Sequence, residues 1–172
     1  MFVEVIVILQ VGISGSTKIK KTMRLRDLED HIKSAFQTYC NSIYFDDVYD
    51  VWNKIRTVQY PSVCVVLVNI DVVDEIVNYQ FNVYVGDRLQ QGFTNSSDCI
   101  DNAWTTVEKA VKRLEQVEGI LNIEQIGRYY NPFKQQFNDV LAGVYLTLQI
   151  QVANDIDLCE VIKETECNEE RI

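Results

Sequence analysis

Residues 129–152 read YYNPFKQQFNDVLAGVYLTLQIQV, and the second half of this stretch alternates strictly between apolar and polar side chains. From Val144 onward, every second residue is apolar and would face one side of an extended strand. The residues in between carry neutral side chains that can form hydrogen bonds, namely Tyr145, Thr147, Gln149 and Gln151. The pattern therefore predicts a β-strand with one face on a core and an uncharged polar face on the other side.

Four other segments have the composition of strands. Residues 1–10 alternate with period two, and residues 79–85 do the same. Residues 63–68 read VCVVLV, which is apolar on both faces and predicts a central strand covered on two sides. The acidic DVVDE at 71–75 separates this run from residues 79–85, so the two strands are predicted to form a hairpin. Residues 120–126 have a weaker strand pattern.

Two segments have helical spacing. Across residues 25–39, apolar side chains recur every three or four positions, which predicts an amphipathic helix capped by Thr22. Residues 100–117 have the same periodicity and predict a second helix, with Gly119 placed to end it in a left-handed conformation. Between 43 and 58 the pattern fits either a helix or a loop, and both interpretations remain open.

Locally paired strands and two amphipathic helices predict an α+β fold around one core. A chain of 172 residues with 47% hydrophobic residues can bury roughly 70% of the surface that its unfolded form exposes, enough for one domain. We divide the chain into an N-terminal strand or arm at 1–22, a single domain at 23–153 and a C-terminal tail at 154–172. The tail holds seven acids and two bases, a net charge of −5.

The charge balance limits the choice of partners. With 25 acidic and 16 basic residues, the formal net charge is −9, which repels the phosphates of nucleic acids and anionic membranes. The N-terminal MFVEVIVILQ contains Glu4 and is too short to cross a bilayer, so the sequence predicts neither secretion nor membrane insertion. Five cysteines without a CxxC pair indicate reduced thiols in a cytosol.

No motif in the sequence predicts a catalytic or metal-binding site. His31 is the sole histidine, so neither a histidine base with a partner nor a histidine-based metal site is predicted. The GISG segment at 12–15 lacks the spacing of a phosphate-binding loop. We interpret the pair Asp46 and Asp47 as a solvated turn, and a hydrolase that uses these carboxylates is a third hypothesis. We therefore predict a protein that is not an enzyme and has no cofactor or metal.

Five cations lie close together in this acidic chain, namely Lys18, Lys20, Lys21, Arg24 and Arg26. Three interpretations remain open for this basic cluster. The first is a solvated basic face. The second is a docking patch for an acidic surface, such as the C-terminal tail of a neighbouring copy, which would favour head-to-tail contacts. The third is a contact with DNA.

Four segments together resemble a known group of proteins. They are YPSVCVVLV at 60–68, YQFNVYVGDRL at 79–89, TNSSDCIDNAWTTVEKAVKRL at 94–114 and YYNPFKQQFNDVLAGVYLTLQIQVANDIDLCE at 129–160. A YP precedes the apolar strand, a DR closes the hairpin, and an AG leads into the last strand. With these motifs the chain resembles neck and tail proteins of tailed bacteriophages such as the crAss-like group, known as tail terminator or tail completion proteins. Residues 1–22 lie outside the resemblance.

The resemblance implies a mostly antiparallel sheet flanked by two main helices, and a ring of six or twelve copies around the channel through which DNA leaves the capsid. Members of the group are structural virion proteins of the neck or tail, assembled in the host cytoplasm, and are not enzymes. The implied partners are further copies of the chain and neighbouring portal, neck or tail ring proteins. Genomic DNA would pass through without specific binding, because an acidic channel repels phosphate.

On the ring hypothesis, we expect subunit contacts at two places besides the basic cluster. Tyr130, Pro132 and Phe133 lie in a segment predicted to be a loop, where exposed aromatic residues are unusual unless a partner covers them. Packing of these residues on the chain's own sheet remains the alternative. The second place is the polar face of the last strand, with Tyr145, Gln149 and Gln151.

A second function, from another class, is a free cytosolic binding module that recognises a peptide or a small ligand across its sheet. The charge balance and the alternating strands are compatible with this function as well as with a ring subunit. The oligomeric state of the purified chain is the observation that separates the two.

Overall fold

The computed structural model describes residues 23–54, 57–136 and 140–154. In chain order, these ranges form helix α1 (Leu25–Phe36), strand β1 (Ser42–Tyr44), helix α2 (Val48–Lys54), strand β2 (Ser62–Val73), strand β3 (Ile76–Arg88), helix α3 (Ser96–Leu114), strand β4 (Ile120–Gln136) and strand β5 (Leu141–Ala153). A short 3₁₀ helix at Gln91–Phe93 connects β3 to α3. The predicted strand at 1–10, the cap at Thr22 and most of the acidic tail lie outside the described residues.

The five described strands form one sheet in the order β1-β2-β3-β5-β4. β1 and β2 are parallel, and every other neighbouring pair is antiparallel. The fold is therefore α+β with a mostly antiparallel sheet, as the sequence predicted. β2 and β3 form the predicted hairpin, which turns at Asp74 with a φ of 53°.

β3 and β5 lie side by side at the centre of the described sheet and pair without a register shift. The pairing runs from Ile76 opposite Ala153 to Arg88 opposite Leu141. Since directly opposite residues point to the same side of a sheet, the alternating residues of both strands sort together. Tyr79, Phe81, Val83 and Val85 of β3 are buried on one side with Val144, Leu146, Leu148, Ile150 and Val152 of β5. The predicted alternation of β5 is confirmed.

Helices α1 and α3 cover this side of the sheet. Leu28, Ile32 and Phe36 of α1 are buried in one cluster with the apolar strand residues, and so are Ala103, Val107 and Leu114 of α3. The helical periodicity predicted for both segments is confirmed. Each fully buried Leu, Ile or Phe stabilises the fold by about 1.5–3 kcal/mol relative to an exposed one. Gly119 has the predicted left-handed conformation, with a φ of 100°, but it does not end α3, because the helix ends at Leu114 with Glu115 as its C-cap.

Helix α2 packs on the other side of the sheet, at one end. Val48, Val51 and Trp52 are buried there in a second cluster with Cys64, Phe133 and Leu141. The Trp52 Nε1–H donates a hydrogen bond of 3.0 Å to the Oγ of the buried Ser62. The segment at 43–58, where helix and loop were both open, therefore contains the short strand β1 and the helix α2.

One prediction about the strands holds only in part, and another is wrong. The run at 63–68 was expected to be central and covered on two sides. β2 lies second in the sheet and is covered on both sides at Val63, Cys64 and Val65, but its burial ends there. Beyond that residue, the strand continues to Val73 with most side chains exposed. The segment with Tyr130, Pro132 and Phe133 was predicted to be a loop, but it belongs to β4. This part of β4 pairs with β5 between two register shifts, so its residues do not keep the regular alternation that a periodicity argument detects.

Gly143 of β5 has no room for a side chain. It lies opposite Gly86 of β3, and a Cβ atom at Gly143 would be 1.9 Å from the backbone oxygen of Val85. Backbone atoms in the middle of a sheet cannot move aside as a flexible side chain can. Gly143 therefore allows the central strands to approach each other closely.

We expect the substitution Gly143→Ala to lower the free energy of unfolding by about 3 kcal/mol, at the upper end of the usual cost of overpacking. Gly92→Ala is the matched control, because its Cβ would meet nothing closer than 3.9 Å and only its φ of 80° is unfavourable. The control should cost about 1 kcal/mol. Urea unfolding followed by circular dichroism measures both, and equal costs would contradict the steric explanation.

Candidate functional site

The side of the sheet opposite α1 and α3 carries a band of neutral polar side chains. Within the β3–β5 pair, Asn78 lies opposite Gln151, Gln80 opposite Gln149, Asn82 opposite Thr147, and Tyr84 opposite Tyr145. Because α2 covers only one end of this side, these residues remain exposed or half-buried. We call the eight residues the polar face. They alternate with the core residues of the same strands, so the fold of the core fixes their positions.

Side-chain hydrogen bonds connect the two strands within the polar face. The Thr147 hydroxyl donates to Asn82 Oδ1 at 2.7 Å, and Gln149 Nε2 donates to Asn78 Oδ1 at 3.3 Å. Cross-strand pairs of this kind stabilise a sheet by about 0.2–1 kcal/mol each. The pairs also hold the amides in fixed positions, so less side-chain entropy is lost when a partner surface covers them.

Two tyrosines occupy the end of the polar face next to α2. The rings of Tyr84 and Tyr145 are stacked, with centroids 5.3 Å apart and planes 22° apart, and Trp52 meets Tyr84 edge-on at 6.5 Å. Burial raises the pKa of Tyr84, and the neighbouring Tyr145 and Tyr49 raise it further. Tyr145 is 37% exposed and Tyr49 is 64% exposed. Large aromatic rings with a wet hydroxyl end are typical of contact surfaces between proteins.

The predicted site residues divide between this face and the core. Gln149, Gln151 and Tyr145 lie on the polar face, as the alternation of β5 requires. Phe133 does not lie on a surface, because only 4% of it is exposed and its ring lies 5.8 Å from that of Trp52. The premise of an exposed aromatic loop is therefore wrong for Phe133.

Tyr130 and Pro132 differ from Phe133. The half-buried Tyr130 packs against the helix-side core, its hydroxyl donates to Glu108, and it accepts a hydrogen bond of 3.0 Å from Gln125. Burial raises the pKa of Tyr130, and the contact with Glu108 raises it further. The alternative of packing on the chain's own fold thus applies to Tyr130, whereas Pro132 is exposed on β4.

The described part of the basic cluster lies at the start of α1. Arg24 is the N-cap residue, its backbone N–H donates to Asp27 Oδ2 at 3.3 Å, and its side chain is exposed. Arg26, in the first turn of the helix, is also exposed. Lys18, Lys20 and Lys21 lie outside the described residues. Arg24 and Arg26 therefore adjoin the helix layer of the fold, on the side away from the polar face.

A cleft of about 360 Å³ lies between the end of α1, the first half of α3 and the neighbouring strand ends. Its lining combines Val85 and Ala103 with polar groups of Asp87, Asn102 and Lys109. This volume is at the small end of the range for ligand pockets. No local pattern in the sequence indicates this cleft, because its residues come together only through tertiary packing.

Asp46 and Asp47 lie at the start of α2, and His31 lies on α1. Asp47 caps α2, since its Oδ1 accepts the backbone N–H of Tyr49 at 2.8 Å, and Asp46 Oδ1 accepts the N–H of Asp47 at 2.7 Å. His31 is half-buried on α1. Among the described residues, no group of three or more His, Cys, Asp or Glu side chains could hold a metal ion. Within the same residues, no helix is long and apolar enough to cross a membrane.

No family model matches this chain, and a search of the curated proteins found no relative.

Three described cysteines are free and buried: Cys40, Cys64 and Cys99. Burial raises the pKa of Cys40 to about 12, with a contribution from Asp87, and the pKa of Cys64 to about 12, with contributions from Asp46 and Asp47. The ordinary pKa of a cysteine thiol is 9.0. As the pH rises, these thiols therefore ionise in the unfolded chain at a lower pH than in the folded chain. The free energy of unfolding should therefore fall above pH 9.

At pH 8, we expect iodoacetamide to alkylate Cys40 and Cys64 of the folded chain about 1,000-fold more slowly than in concentrated urea. The raised pKa lowers the fraction of reactive thiolate by about this factor, and burial limits access further. Mass spectrometry of the labelled peptides gives both rates. Fast labelling of either cysteine without denaturant would show that its surroundings are open to water.

Proposed function

We propose that this chain is a structural virion protein that forms a homo-oligomeric ring in the neck or tail of a tailed bacteriophage. The ring would contain six or twelve copies and surround the channel for genomic DNA. It would contact neighbouring portal, neck or tail ring proteins and would assemble in the host cytoplasm. On this proposal the protein acts by presenting surfaces and is not an enzyme.

The observation that supports this proposal best is the polar face. Its eight residues are uncharged on a chain with a net charge of −9, and its amides are already ordered by cross-strand hydrogen bonds. Asp71 and Glu124 border the face, opposite Asn78 and Gln149. A contact centred on the uncharged residues keeps like charges at its rim, where water screens them. Tyr145 and Tyr49 at its end add exposed aromatic area of the kind enriched in interfaces.

A charged substitution in the polar face tests this role directly. We expect the full-length chain to form closed rings at high concentration, and the variant Gln149→Glu with Gln151→Glu to remain monomeric. Each copy would then add two carboxylates to a contact that excludes water, where unpaired charges are strongly unfavourable. Native mass spectrometry counts the copies, and negative-stain electron microscopy identifies closed rings.

The matched control adds the same charge on the opposite side of the molecule. Thr105 and Gln116 are exposed on and just after α3, so Thr105→Glu with Gln116→Glu should leave the ring intact. Rings that survive the sheet variant but not the helix variant would contradict the proposed interface. A chain that stays monomeric alone and after mixing with the cognate portal and tail components would contradict the ring itself.

A second candidate function is a ligand-binding module, and the cleft at Asp87, Asn102 and Lys109 favours it. The sequence suggested a ligand across the sheet, but this cleft lies on the helix side. A binding module would be a monomer in native mass spectrometry. On this function, Asn102→Leu would weaken the binding of a ligand to the cleft and would have no effect on assembly. The two functions thus predict different results for one set of proteins.

A further inference from the structure

Among the described residues, the outer edge of β2 has a partner strand only at its first few positions. β1 pairs with β2 only at the three positions from Ser62 to Cys64. From Val65 to Val73, no described residue pairs with the side of β2 that faces away from β3. A free strand edge of this length offers a row of backbone N–H and C=O groups to any extended segment that reaches it.

The side chains along this edge are apolar and exposed. Their exposed fractions are 37% for Leu67, 50% for Val68, 48% for Ile70, 56% for Val72 and 52% for Val73. Leu67, Ile70 and Val72 lie opposite Phe81, Tyr79 and Val77 of β3 and thus share the helix side of the sheet. A cluster of exposed β-branched and aliphatic side chains on an edge strand indicates a surface that another segment covers.

The opposite edge of the sheet, formed by β4, is protected against pairing, unlike the outer part of β2. β4 has three register shifts against β5 and carries the exposed charges Glu124 and Lys134. Bulges and charged side chains are the usual means by which proteins prevent pairing at an edge. The outer part of β2 has one shift and, from Val65 to Val73, Asp71 as its single charged residue. β2 is therefore the edge that remains suited to pairing.

We propose that residues 2–9 of the same chain add to this free edge of β2 as a further strand. Their sequence, FVEVIVIL, is apolar at every position except Glu4, which is the composition of a strand that is covered on both faces. Strand addition would satisfy the outward backbone groups of β2 and cover its exposed aliphatic side chains. The proposal does not depend on the ring, because a single copy provides both strands.

The length of the connection and the position of its end agree with this pairing. Residues 10–22 join the segment to Met23, and a chain of this length reaches about 45 Å at most when fully extended. Met23 is buried in the helix-side core, the cluster that also contains Tyr79, and Tyr79 lies opposite Ile70 of β2. Such a tether gives an effective concentration in the millimolar range, which favours pairing within one chain over exchange between copies.

The charges of the connection complement those of the hairpin. Lys18, Lys20 and Lys21 lie in the connection, while Asp71, Asp74 and Glu75 are exposed around the turn between β2 and β3. Opposite charges would favour the approach of the segment to this end of the hairpin.

Cysteine cross-linking tests the pairing whatever register the two strands adopt. In full-length chains with Cys159→Ser and Cys167→Ser, Ile70→Cys is combined with a single cysteine at each of positions 3–7 in turn. Strand side chains alternate, so the yield of disulfide should rise and fall with period two along these positions. Gel mobility and mass spectrometry should identify an intramolecular bond, and Lys112→Cys on α3 replaces Ile70→Cys in the control.

Each outcome of the cross-linking decides one part of the proposal. Alternating intramolecular yields with Ile70→Cys, and low yields with the control, support it. Equal yields at all five positions, or no preference over the control, overturn the strand pairing. Cross-linked multimers in place of monomers overturn the intramolecular origin, because a neighbouring copy would then supply the segment. If native mass spectrometry shows that the chain forms no ring, the expected cross-linking within one chain stays the same.

Hydrogen exchange provides a second measurement that needs no cysteine. In the full chain, the outward amides of residues 66–73 should be protected, and Val5→Pro with Ile6→Pro should speed their exchange by about tenfold or more. Neighbouring residues of a strand point their N–H groups to opposite edges, so one of the two prolines removes a donor to β2 in either register. The control Val5→Thr with Ile6→Thr retains both donors. Unchanged exchange in the proline variant would overturn the pairing.

Discussion

The unbroken register between β3 and β5 is the constraint on which the rest of the structure depends. Side chains alternate along both strands, so this register brings Val83 and Leu146 together in the core and Asn82 and Thr147 together on the polar face. A slip by one residue would place amides under the helices and valines in water. The core and the proposed contact surface are thus determined by the same set of backbone hydrogen bonds.

The two sides of the sheet differ because the helices are distributed unequally. α1 and α3 cover one side over most of its area, whereas α2 covers only the end of the other side around Trp52. The bond from Trp52 to the buried Ser62 fixes α2 at this end, since an unpaired buried donor would cost about 1–3 kcal/mol. The polar face begins where the contacts of α2 end, at the stacked pair of Tyr84 and Tyr145.

The sequence predicted those elements whose burial follows a local period, and it predicted the polar face only in part. β5 and α3 were predicted correctly, because each turns one regular row of apolar residues toward the core. The position of Phe133 was missed, since its burial depends on contact with the distant Trp52. The exposure of β2 beyond Val65 was missed because an apolar run has the same composition whether neighbouring segments cover it or leave it exposed. Asn82 contributes to the polar face through its hydrogen bond with Thr147. No local pattern in the sequence specifies the pairing of β3 with β5 that brings these two residues together.

The edge of β2 and the polar face would serve different purposes under the two proposals. An exposed aliphatic edge binds any extended segment, so it gives little specificity, and covering it within one chain lowers the tendency to aggregate. A face of ordered amides gains little from non-specific contact, because its groups are already satisfied by water and by each other. It gains from a partner that matches its geometry. Closing the edge would therefore leave the polar face as the surface on which a specific contact between copies depends.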